Sequence, residues 1–159
     1  MSAPHTTSAR MTALAQRETL YHAILELEAA LAAPGGGRAA AWTEEVIHHL
    51  RDLDAEFTAH IHITEDPDGL YEEILELAPE HTRAIELLRS EHEEIAYSIA
   101  SSRVALADAA VPVGFDAESD WIDEQRAAGT SLLGRLVRHR QKGADLMWRA
   151  YTHDTGGRG

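Results

Sequence analysis

The chain has 159 residues, and its 27 acidic against 14 basic side chains give a formal net charge of −13 at pH 7. That charge repels phosphate backbones and anionic membrane surfaces, which speaks against nucleic acid and membranes as partners. There is no cysteine, so disulfides, thiolate zinc sites, Cys-ligated iron–sulfur clusters and a cysteine nucleophile are excluded, and any chemistry must use nitrogen and oxygen.

A chain of this length buries about 68–70% of its unfolded surface and is expected to fold as one domain, 1–159, without a metal or disulfide as a staple. The N-terminal MSAPHTTSAR lacks an apolar leader core, and no stretch reaches the roughly 18 apolar residues of a membrane span. The expectation is a soluble, cytoplasmic protein.

In chain order, an Ala-, Leu- and Glu-rich first helix runs from about Ser8 to Ala33, with Met11, Leu14, Leu25 and Ala29 at helical spacing, until PGGGR at 34–38 ends it. A second begins near Ala40 with Val46, Leu50, Leu53 and Phe57 as its apolar seam, and Pro67 predicts a kink, since it removes a donor and clashes with the carbonyl four residues back. GLYEEILELA continues it to Pro79, which suits the first turn of a third helix running to about Ala110. VPVGFDAESD reads as a loop, and a fourth helix follows from Trp121 to Tyr151, weakened by Gly129, Gly134 and Gly143. The ends, 1–8 and 153–159, are expected to fray. Four helices with short connections and no competing strand predict an all-α, up-down-up-down four-helix bundle.

The ten histidines sort by face. His5 and His153 lie in the end segments, and His48, His49 and His81 read as structural. His60 extends the Val46–Leu50–Leu53–Phe57 seam, His92 follows Ile85 and Leu88, His139 follows Leu132 and Leu136, and His22 falls between Leu14, Glu18 and Leu25. Each helix thus carries one histidine on its inner stripe. A buried imidazole costs free energy unless it is hydrogen-bonded, and four of them find partners together if they converge on a shared cation. Imidazoles and carboxylates on facing bundle helices are a common way to hold iron or a similar divalent metal. The four tyrosines read as apolar bodies with wet hydroxyls, Glu91 reaches the centre only from an edge, and there is no nucleophile elbow or phosphate loop.

The order His22, then His60 with Glu65, then His92 in LLRSEHEEI, then His139 in RHRQKGADL resembles the hemerythrin-like (HHE cation-binding) domain over most of the chain, from His22 to about Gly157. That resemblance implies a four-helix bundle around a non-heme, usually di-iron, centre with His and carboxylate ligands. It also implies a protein that carries or senses oxygen, responds to nitric oxide or iron, or turns over peroxide.

Two features depart from the family pattern. His60 and Glu65 are five apart rather than four, about 140° from each other on an ideal helix, so a π-type bulge beside Pro67 is expected to bring both inward. His62 is expected to point outward, and binds in place of His60 if the register slips. On the fourth helix the family's carboxylate position is taken by Gly143 and Ala144, leaving Asp145 to be brought round, with Glu18 as its substitute. The expected metal ligands are therefore His22, His60, Glu65, His92, His139 and Asp145, holding two iron ions rather than one, with Asp145 the weak ligand. The expected function is to bind, sense or reduce a small oxidant such as O2, peroxide or nitric oxide. The alternatives are a metal-responsive sensory module without turnover and a metal-free helical interaction protein.

Overall fold

The computed structural model describes residues 8–153, and over them the chain is helical without a strand. The elements are α1 (Ala9–Ala32), α2 (Ala39–Glu65), a short α3 (Leu70–Leu77), a 3-10 turn at Pro79–His81, α4 (Thr82–Asp108) and α5 (Phe115–His153). The ends expected to fray lie, apart from Ser8 and His153, outside the described residues. Ser8 in fact caps α1, its hydroxyl accepting the Met11 N–H at 3.2 Å, which satisfies one of the donors a helix start leaves unpaired. No helix among the described residues is long and apolar enough to cross a membrane.

Two boundaries differ from the sequence reading. Helix α5 starts at Phe115, inside the expected loop, with Asp116 and Glu118 in its first turn, where acidic side chains complement the helix dipole. Glu118 also accepts the Gly37 N–H at 2.8 Å, tying this start to the α1–α2 loop. The second difference is at Pro67, where the chain breaks instead of kinking. Helix α2 stays a regular α-helix as far as Glu65, without the expected bulge, and Asp66 is already extended at φ −60°, ψ 155°. The chain reverses through Gly69, where a Cβ would lie 2.8 Å from the Ile63 carbonyl oxygen and 2.9 Å from that of Asp66. No other residue fits that approach, so α3 begins as a new helix at a sharp turn.

Helix α1 packs on α2 and α5, and α4 packs on α2 and α5, so each long helix touches two others, as in an all-α bundle. The core has two apolar parts. One contains Trp42, Leu50, Leu53, Phe57, Ile99 and Leu136, and the other Ala13, Tyr71, Ile74, Ile85, Leu88 and Leu146. Helices α1 and α5 meet closely at Gly129, where a Cβ would come within 2.5 Å of Leu31 Cδ1.

Substituting the helical glycines tests this close approach. Gly134→Ala, whose new methyl meets only the end of Arg138 at 3.4 Å, should stabilise by about 0.5–1 kcal/mol through helix propensity. Gly129→Ala should instead destabilise by about 1–3 kcal/mol, because Leu31 must leave its packed position. Urea unfolding of the two variants measures the contrast.

Candidate metal centre

Three buried histidines meet where the two apolar parts of the core join. His60 from α2, His92 from α4 and His139 from α5 each present a ring nitrogen within 4.8 Å of those of the other two. Their ring centroids are 5.0 Å (His60–His92), 4.7 Å (His92–His139) and 5.4 Å (His60–His139) apart. Phe57 closes one side, stacked on His60 at 5.6 Å and edge-on to His92 and His139. Tyr71 of α3 closes another, parallel to His92 with centroids 5.9 Å apart.

Every Nδ1 atom is held from outside. His92 Nδ1–H donates to Glu65 Oε1 at 2.5 Å, and His139 Nδ1–H donates to Glu91 Oε2 at 2.8 Å. His60 Nδ1–H donates to Gln16 Oε1 at 3.2 Å, and the orientation of that amide is fixed because Gln16 Nε2 donates to the Glu56 carbonyl at 2.9 Å. A neutral imidazole that donates through Nδ1 carries a lone pair on Nε2. The three lone pairs therefore face inward, with His60 Nε2 and His139 Nε2 only 3.3 Å apart. Two acceptors at that separation repel unless a cation lies between them. The Tyr71 hydroxyl donates a long hydrogen bond of 3.4 Å to His92 Nε2.

Burial keeps these rings neutral. It lowers the His60 pKa well below its ordinary value, assisted by the neighbouring His92 and His139. Burial also takes His92 down to about 4 against the opposing pull of Glu65, and lowers His139 against that of Glu91. Burial alone would raise the Glu91 carboxyl, but hydrogen bonds from Lys142 and His139 hold it below the usual range, so it stays an ionised acceptor.

Of the residues expected in the site, the structure brings together His60, His92 and His139, with Glu65 behind His92. Glu65 needs no bulge, because as the last residue of α2 it reaches His92 Nδ1 on α4 instead of sharing the centre with His60. His22 and Asp145 are not brought in. His22 is exposed, since the inner stripe of α1 runs through Ala13, Gln16, Leu20, Ile24 and Leu27, while Met11, Leu14 and Leu25 of the expected stripe face solvent. The substitute, Glu18, is exposed on the same outer side. Asp145 is exposed and accepts from Gln141 Nε2 at 3.0 Å, one turn back on its own helix. His62 points outward to Asp66 at 3.3 Å. His48 is exposed and His49 and His81 are half-buried; His5 lies outside the described residues.

Gln16 and Tyr71 were missed, and Glu91 was placed only at the edge of the centre. Gln16 had a legible signal, a polar residue three after Ala13 and four before Leu20 on one stripe. Tyr71 had none, because its place depends on the turn at Gly69. No family model, curated protein or solved structure matches this chain.

The depressed imidazole pKa values make acid stability a test of this arrangement. Unfolded histidines take up protons near 6.5, whereas His92 in the folded chain does so only near 4. The unfolded state therefore binds more protons through this window, and folding stability should be full above about pH 6.5 and fall as the pH drops toward 4. Denaturant unfolding of chelator-treated protein at several pH values should show this loss, and His92→Leu should reduce it, leaving the part that His60 and His139 contribute.

Proposed function

We propose that His60, His92 and His139 hold a single divalent cation, iron, in a hemerythrin-like domain, and that the chain binds or reduces a small oxidant there. The observation that carries this reading is the inward convergence of three neutral Nε2 lone pairs whose tautomers are set by Gln16, Glu65 and Glu91. Nitrogens bound at about 2.0–2.1 Å stand roughly 3.3–3.4 Å apart in a tetrahedral site and roughly 2.8–3.0 Å apart in an octahedral one, and the His60–His139 separation of 3.3 Å fits the tetrahedral spacing. Imidazole suits iron, zinc, copper and nickel alike; the sequence resemblance selects iron among them.

The antiparallel sense of the packed helix pairs supports an up-down-up-down course and the same reading. Early α1 meets late α2 at Gln16–Glu56, and late α1 meets early α5 at Leu31–Arg126. Glu65–His92 with Asp54–Arg103, and Glu91–His139 with Ser98–Arg135, give the α2–α4 and α4–α5 pairs the same antiparallel sense.

A single cation is favoured over the expected pair. The second position has no carboxylate, since Gly143 offers no donor and Asp145 faces solvent. The cavity beside His60 and His139 is lined there by Arg17 and Arg140, whose charges oppose a second cation. That cavity measures about 20 Å³, enough for one water-sized molecule and too small for an organic substrate, which supports a ligand of two or three atoms.

Bound here, iron supplies one-electron exchange and an open position for such a ligand. The residues of the chain do the remainder. The three Nδ1 hydrogen bonds fix the rings and raise their basicity. Phe57, packed against all three rings, keeps water from one side, and the Tyr71 hydroxyl holds a proton at the edge of the centre.

Elemental analysis of protein purified without an affinity tag tests this reading. One iron per chain is expected. His92→Ala should lose most of it, His22→Ala and Asp145→Ala should keep it, and a metal-loaded His92→Ala variant would refute the site. Zinc alone would remove the redox reading, and two irons per chain falling to one in Asp145→Ala would restore a dinuclear centre.

The hydrogen bonds behind the rings give a separate prediction. Glu91→Gln should keep the fold and weaken metal affinity by about 10–100-fold, measured by competition with a chelator.

A further inference from the structure

Arg17 and Arg140 line the small cavity together with His60, His139, Thr64 and Gly143. Arg17 crosses from α1 to α5, donating through Nη1 to the Arg140 carbonyl at 3.2 Å. It passes over Gly143, where a Cβ would sit 3.6 Å from the same nitrogen. The Arg140 guanidinium lies over the Tyr21 ring at 4.7 Å, and its Nε is buried without a hydrogen-bond partner.

Among the described cationic side chains that form no ion pair, Arg10, Arg51, Arg138 and Arg149 are exposed, whereas Arg17 and Arg140 are half-buried. Arg38, Arg89, Arg103, Arg126, Arg135 and Lys142 each meet a carboxylate, in keeping with a net charge of −13. Among the described residues, no ion pair forms at Arg17 or Arg140, and burial together with Arg140 lowers the Arg17 pKa against the weaker pull of Glu18. Both charges also act to keep His60 unprotonated. Two guanidiniums without an ion pair on one small, partly desolvated cavity are unfavourable as a pair, and an anion between them removes that cost.

The geometry points to a small-anion site at Arg17 and Arg140, for a monovalent anion of one to three non-hydrogen atoms held beside His60 and His139. The volume of about 20 Å³ favours the smallest anions over sulfate and phosphate. Applied to the proposed function, and resting on that reading, the site selects an oxidant that arrives as an anion and places it next to the imidazoles. The anion site itself does not depend on metal.

Calorimetric titration of the full chain with sodium nitrite, as purified and after chelation, tests this. Saturable binding of one nitrite per chain is expected in both forms, at least ten-fold weaker in Arg17→Gln and in Arg140→Gln, with sulfate binding more weakly than nitrite. Nitrite binding confined to the metal-loaded form, sulfate binding as tightly as nitrite, or unchanged affinity in the glutamine variants would overturn the site. Should a variant fail to fold, the side-chain Nε–H resonance of Arg140 in the chelated wild-type protein decides. It should shift on nitrite addition, and a signal that stays in place refutes the proposal. Protein that carries no iron as purified and still binds nitrite would sink the metal reading and leave the anion site standing.

Discussion

The structure depends on three hydrogen bonds that face away from the centre they serve. Gln16, Glu65 and Glu91 each accept from one Nδ1–H, and by fixing the tautomers they commit three Nε2 lone pairs to one point. A core of this kind would ordinarily fill the positions of His60, His92 and His139 with leucine, as the neighbouring Leu53, Leu88 and Leu136 do. Replacing leucine with imidazole gives up apolar burial and adds two ring nitrogens that need partners. Half of that need is met by the outer acceptors and half is left directed inward, where a cation would meet it.

The outer acceptors differ in kind. Glu65 and Glu91 are partly exposed carboxylates, whereas Gln16 is a buried neutral amide braced by the Glu56 carbonyl. His60 thus has no carboxylate behind it and lines the arginine cavity with His139, while His92 and His139 each have a carboxylate behind them. The centre is electrostatically polarised, with carboxylates along α2 and α4 and guanidiniums on α1 and α5. A positive ion and an anionic ligand would be favoured on opposite sides of it, and that asymmetry opposes a second metal where Arg17 and Gly143 lie.

The seams of α2, α4 and α5 were legible because each alternates a clear apolar stripe with charged residues. His60, His92 and His139 then fall on the stripe by counting threes and fours. Helix α1 was not legible in the same way. Leucine and alanine occupy several of its faces, so the Leu14–Leu25 stripe that placed His22 inward competed with the Ala13–Gln16–Leu20–Ile24 stripe that the packing selects. Asp145 failed for a related reason. Its angular offset from His139 was visible in the sequence, but nothing local compelled the helix to distort, and α5 runs on without turning it inward.

The stretch HIHITEDPDGLY shows what sequence periodicity leaves out. Read as one distorted helix, it required a bulge to bring Glu65 beside His60. In the structure α2 simply ends at Glu65, which frees that side chain to cross to His92. Asp66 and Pro67 keep the helix from continuing, and the absence of a Cβ at Gly69 lets the turn close against the Ile63 and Asp66 carbonyls. That closure starts α3 one residue later and lays Tyr71 flat against His92. One break thus places a carboxylate on the outer nitrogen of a histidine and a hydroxyl at its inner nitrogen. Both placements follow from stopping a helix, which a pattern of threes and fours does not record.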